Sequence, residues 1–197
     1  DLYTQSYVLP YLVPMLENAG ATVLLPRERD FQTAEVIADN DGGVDVASQY
    51  AESNGEQAWV EYGQGFAHKK SEYLSGENPF ADGTSRIAKT ITDGEPSTAQ
   101  WIADIPHEGE YAVYVAYRSL PTSADDAHYT VSHAGGETRF CVNQRIGGGT
   151  WIYLGTFLFN DKAVVALSNI SEKAGQTVCA DAIKIGGGMG NIARTVC

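Results

Sequence analysis

From Tyr111 to Gly188 the chain is a run of short apolar alternations separated by glycine turns. Tyr111, Val113, Val115 and Tyr117 fall on one parity, and Ala112, Tyr114 and Ala116 on the other, which is the period of a β-strand. Residues 128–133 and 137–143 flank Ala134-Gly135-Gly136, a hairpin signal. Residues 151–159, 163–167 and 177–185 continue the pattern. Upstream, 59–62, 85–91 and 101–105 read the same way, the last stopping at Pro106 and Gly109. About eight short strands at this spacing predict two packed antiparallel sheets. The expected class is mainly β: an antiparallel β-sandwich, jelly-roll-like, with a short N-terminal α/β segment.

That segment spans residues 1–40. Val8, Leu12 and Leu16 stand at helical spacing with Leu9 and Met15 nearby, and Ala19-Gly20 supplies a stop. Residues 21–25 (Ala-Thr-Val-Leu-Leu) then read as a buried strand ending at Pro26. Pro10 and Pro14 predict a kinked or late-starting helix, because an interior proline costs about 3 kcal/mol. Residues 41–56 are polar and acidic and read as a linker. The aspartates from Asp39 onward resemble a calcium loop, but the twelfth position, where that loop needs glutamate, is Tyr50. Residues 57–187 form the expected sandwich, and 188–197 a tail leading back toward the parent domain.

Composition narrows the function. A hydrophobic content of 43% suits a folded chain. A net charge of -12, with a pI near 4.6 and no dense basic run, disfavours nucleic acid. No apolar run reaches the ~20 residues of a membrane span. No charged-then-apolar leader opens the sequence, and the start at Asp1-Leu2-Tyr3 reads as a cut from something larger. Three cysteines argue against a disulfide scaffold. Cys141 and Cys179 lie in predicted strands, as buried thiols or a bridged pair, and Cys197 is expected to be free.

No catalytic constellation stands out. His128 and His133 are five positions apart, so a regular strand points them to opposite faces as surface histidines. No serine sits in a Gly-x-Ser-x-Gly elbow, and Asp125-Asp126 reads as a solvated loop pair. Gly147-Gly148-Gly149 leads into a strand without the Lys-Ser/Thr of a phosphate loop. Asp181 shares the parity of Ile183 and Ile185, so it needs backbone N–H partners or, alternatively, a structural Ca²⁺. Otherwise no metal or cofactor is expected. Sugar recognition uses flat aromatic rings beside hydroxyl-binding groups. The candidates are Trp59, Trp101, Tyr117, Trp151 and Tyr153, with Tyr62 and Tyr129 behind them and Asn143, Gln144 and Arg145 as polar company. The competing reading of every aromatic is core or edge packing.

Gly109-Glu110-Tyr111, Val142-Asn143-Gln144, residues 151–157 (Trp-Ile-Tyr-Leu-Gly-Thr-Phe), Leu167-Ser168-Asn169 and Ala180-Asp181-Ala182-Ile183 carry a resemblance. Over roughly 57–187 the chain resembles the golvesin C-terminal-like domain, found also in xanthan-lyase-like and other bacterial cell-surface proteins. The resemblance implies a noncatalytic accessory sandwich similar to carbohydrate-binding modules. It also implies an extracellular, periplasmic or cell-surface location and a polysaccharide or peptidoglycan glycan as partner. Residues 16–30 are similar to one unit of zinc-dependent N-acetylmuramoyl-L-alanine amidases, with Pro26 departing from the pattern. That implies an amidase-like domain in the same parent protein. The segment holds no histidine, so the metal site transfers to no residue here. Two rivals remain: an architectural spacer, or part of an amidase whose catalytic residues lie outside this chain.

Overall fold

The computed structural model describes residues 9–20, 35–42, 48–66, 80, 83–187 and 193–197. The chain divides into two compact units, Asp1–Thr33 and Ala34–Cys197. In the first, helix α1 (Leu9–Asn18) carries Pro10 in its opening turn, where the missing N–H would have no helical partner anyway. Pro14 sits inside it. The helix ends as the sequence suggests: Gly20 takes φ 84° and donates its N–H to Glu17 O at 2.9 Å. The strand expected at 21–25 lies outside the described residues.

Among its described residues the second unit holds thirteen strands: β1 (Val36–Asp39), β2 (Ser48–Ser53), β3 (Val60–Gly65), β4 (Gly83–Lys89), β5 (Thr98–Asp104), β6 (Gly109–Ala116), β7 (Ala127–His133), β8 (Gly136–Val142), β9 (Ile152–Phe159), β10 (Lys162–Ser168), β11 (Thr177–Ala180), β12 (Ala182–Ile185) and β13 (Arg194–Val196). They pair antiparallel in a six-stranded sheet of order β13-β8-β7-β10-β5-β2, a four-stranded sheet β1-β12-β6-β9 and a three-stranded sheet β11-β4-β3. β11 and β12 are one strand interrupted at Asp181. β4 pairs with the first half and β1 with the second. Asn40, just past β1, hydrogen-bonds Thr84, at the start of β4, so the two smaller sheets meet end to end.

Alternation explains the layering. Tyr111, Val113 and Val115 of β6 and the following Tyr117 all enter the main core, as their parity predicts. Facing them are Trp101 of β5, Tyr129 and Val131 of β7, and Val165 and Leu167 of β10. Fully burying one such aliphatic side chain contributes about 1.5–3 kcal/mol. The fold is therefore the antiparallel β-sandwich expected from the pattern.

Three expectations are corrected at its margins. Residues 41–56 include β2, which pairs along its whole length with β5. β2 is an edge strand, so its outward positions (Gln49, Ala51, Ser53) are exposed and its polar sequence resembles a linker. The tail contributes β13, which pairs with β8. Cys197 is bonded to Cys141 across a sequence separation of 56. Closing a loop of that length is worth ~4 kcal/mol on the chain-entropy account. Cys179 is the buried thiol, and burial first, then the nearby Asp181 charge, pushes its pKa up to about 12.

Candidate functional site

The break at Asp181 organises the seam between the two smaller sheets. Its carboxylate, fully buried, accepts the Phe66 N–H at 2.8 and 3.0 Å, where β3 has just ended. Its backbone carbonyl accepts Asn40 N–H at 3.0 Å and the Trp101 indole N–H at 3.2 Å. Gly65 is required here, because a Cβ would overlap the Thr84 carbonyl oxygen. Burial lifts the Asp181 carboxyl to about 7, against the opposing hydrogen bond from Phe66. Nearby Asp39 is 2% exposed; its Oδ1 accepts Asp41 N–H at 2.8 Å, while Oδ2 has no hydrogen-bond partner. Burial raises its carboxyl to about 8, and the neighbouring Asp181 and Asp41 charges add to the rise.

Beside this seam the surface opens into a cleft of about 360 Å³, lined by Asn40, Asp41, Tyr50, Ala51, Glu52, Glu61, Thr84 and Arg86. Each wall has a local cause. Tyr50 and Glu52 are the inward-leaning positions of β2. Glu61 and Arg86 face each other in the β3–β4 register. Asn40 and Asp41 occupy the turn after β1. Arg86 grips Glu52 with two parallel bonds, Nε–Oε1 at 2.6 Å and Nη2–Oε2 at 2.9 Å, and the Tyr50 hydroxyl donates to the same Oε1 at 2.7 Å. Burial works against the ionised Glu52, but the bonds from Arg86 and Tyr50 outweigh it and hold its pKa low. The bond to Glu52 in turn raises Arg86. Asp41 takes the Thr84 N–H and hydroxyl. The Asn40 amide reaches the Thr84 and Asp181 carbonyls at 2.9 and 3.2 Å when its nitrogen faces them. The cleft thus presents fixed acceptors, one guanidinium and one tyrosine ring, a set suited to ordered hydroxyl groups.

The residues singled out in the sequence do not converge on one place. Trp101, Tyr117, Tyr129 and Gln144 are sealed in the interior, and Trp59 is 4% exposed, so none offers a face to a sugar. Gln144 is a structural clasp: its amide nitrogen Nε2 donates to Tyr129 Oη and Cys179 O, and its Oε1 accepts Cys179 N–H. The Tyr117 hydroxyl donates toward Asn143 O and Ile146 O and so anchors the glycine loop, where Gly147 and Gly149 take φ 76° and 73°. Asn143 accepts Arg145 N–H, and Arg145 reaches Ser123 O at 2.9 Å and Asp125 at 3.0 Å. Trp151 and Tyr153 are half-buried on the other face of the four-stranded sheet, where Tyr153 packs on Tyr114 and Trp151 on Phe66 and Phe80. Lys184 Nζ lies 4.5 Å from the Tyr114 ring centroid there. None of the cleft residues was read as a site from sequence; Glu61 and Arg86 were only placed in predicted strands. The alternation of Tyr50 and Glu52 was their one available signal.

Comparison with known proteins agrees with the architecture. The Golvesin C-terminal domain family matches residues 61–187. A xanthan lyase of Bacillus sp. (strain GL1) is 39% identical over 56 residues, which are 28% of this chain and 6% of that protein. The solved Paenibacillus xanthan lyase superposes with a TM-score of 0.54 at 22% identity, covering 77% of this chain and 13% of the lyase. A family 35 carbohydrate-binding module from Clostridium thermocellum matches with a TM-score of 0.39 at 15% identity, over 78% of this chain and 98% of the module. The chain therefore spans a small part of the lyases it resembles. With the family matched across most of its length and the sandwich in place, this chain belongs to the Golvesin C-terminal domain family.

Proposed function

We propose that the chain is a noncatalytic accessory module that holds a saccharide in the seam cleft and so positions a larger, exported polysaccharide-processing or cell-envelope protein on its substrate. The observation that carries the reading is the open cleft itself: one guanidinium, fixed carboxylates and an amide beside the Tyr50 ring, all on sheet strands or the turn after β1. Rigid polar groups next to an aromatic ring match the alternating hydroxyl and C–H surfaces of a pyranose. Membership of the family and likeness to xanthan lyases support a role beside polysaccharide chemistry. The Cys141–Cys197 disulfide supports an oxidising, extracytoplasmic setting. On this reading the sandwich is residues 34–197, and the N-terminal unit belongs to a neighbouring domain of amidase type.

Calorimetric titration with a panel of neutral, amino and acidic oligosaccharides tests it. The wild type binds at least one class, and Arg86→Ala and Glu61→Ala each weaken that binding by about tenfold, the loss of one or two hydrogen bonds. Trp151→Ala leaves it unchanged.

A second reading, an architectural spacer, is favoured by one observation: Trp59 and Trp101, rings that could have met a sugar, are both buried. Absence of binding across the whole panel selects that reading.

A further inference from the structure

On the far side of the six-stranded sheet, away from the cleft, three ligand-bearing side chains meet. The neighbouring inward positions Tyr129, Phe140 and Val142 are buried in the core, so His128 on β7 and Cys141 on β8 project outward. They are direct cross-strand partners. Cys141 also stands opposite Thr195 of β13, which brings Cys197 to the same place. One ligand atom from each of His128, Cys141 and Cys197 lies within 4.8 Å of the other two. His128 and Cys141 are half-buried and Cys197 is exposed, so solvent reaches the group. Asp126 stands 3.8 Å from His128 Nε2 and is itself held by Ser171 Oγ and Glu172 N–H.

The disulfide accounts for the two cysteines by itself. It does not account for an imidazole placed directly across from one of them. Two thiolates and an imidazole are a donor set for a borderline-soft divalent ion. The β7–β8 ladder holds two of the donors in register whether or not the disulfide is closed.

We propose that His128, Cys141 and Cys197 form a redox-gated site for a thiophilic divalent cation of the Zn²⁺ type. A dithiol reductant gives two electrons and two protons to the Cys141–Cys197 bond and is itself oxidised to a disulfide. The metal then displaces the two thiol protons to solvent and takes the neutral imidazole as third ligand, with water completing the tetrahedron. The same residues fasten β13 to β8 in either state, by a covalent bond when oxidised and by a metal when reduced. The site lies on a different face of the fold from the cleft and does not depend on the saccharide reading.

Titrating the reduced full chain with Co²⁺ tests this, because thiolate ligation produces charge-transfer absorption and a tetrahedral site produces intense visible bands. The expected result is one ion per reduced chain with both signatures and no such spectrum from the oxidised chain. His128→Ala, a half-exposed position that leaves the core intact, weakens binding by roughly tenfold or more and alters the visible bands. Amide exchange supplies the second readout: reduction exposes the β13 amides of Arg194–Val196, and Zn²⁺ restores their protection. A reduced wild type that gives no thiolate–cobalt spectrum, or a His128→Ala chain that binds as tightly as wild type, overturns the proposal. So does a β13 that Zn²⁺ fails to protect.

Discussion

The interior between the two layers and the seam beside Asp181 are built on opposite principles. The interior is apolar and self-sufficient: Trp101, Tyr117, Tyr129, Leu154 and Leu167 fill it by parity alone, and their few polar atoms meet backbone or Gln144. The seam is polar and needs partners from distant sequence. Asp181 serves Phe66 across 115 positions, and Asn40 meets Thr84 across 44. Burial of apolar surface sets the fold, while the interruption of one strand at Asp181 leaves a polar seam beside the cleft.

The largest effect expected on this contrast lies in the interior. Trp101→Ala removes a fully buried ring and the donor to Asp181 O, and should cost about 3–5 kcal/mol in urea denaturation. A loss under about 1 kcal/mol would mean the layers are not packed through this ring. Next is the polar clasp within the core: Gln144→Leu strands Tyr129 Oη and both backbone groups of Cys179, at about 2–4 kcal/mol.

The seam should respond to pH where the interior does not. Asp39 and Asp181 are lifted to about 8 and about 7 from an unfolded value near 3.8, so the native state binds more protons than the unfolded chain between these limits. Stability is then highest near pH 4, falls as pH rises and levels off above about 8. Asp39→Asn should make the fall shallower and leave the variant more stable than wild type at the alkaline end, read from urea midpoints against pH. A flat wild-type profile would break the contrast. The smallest stability effect belongs to the cleft wall: Arg86→Ala opens a partly exposed ion pair and should cost no more than about 1 kcal/mol while reducing saccharide affinity.

Much of the interior was legible because parity is a local signal. Tyr111, Val113, Val115 and Tyr117 declared one face, and the structure buries all of them. The same parity could not tell a core aromatic from a displayed one, which is why Trp101 and Tyr117 stand among the sugar-binding candidates as well as the packing ones. The seam was hidden for a different reason. Asp181 announced that it needed a partner, but nothing local named Phe66. β2 hid in acidic sequence because an edge strand needs only one apolar-compatible face, and Tyr50 with Glu52 is a thin trace of it. Cys197 was unreadable as a bridge until the short β13 placed it beside Cys141.

The most direct test of the saccharide-binding account is amide chemical-shift mapping of the isotope-labelled chain while it is titrated with the oligosaccharide class that binds. The account predicts saturable shifts centred on Asn40, Tyr50, Glu61, Thr84 and Arg86, with the Trp151–Tyr153 face silent. Shifts centred on Trp151, Tyr153 and Tyr114 with the cleft unmoved would contradict it.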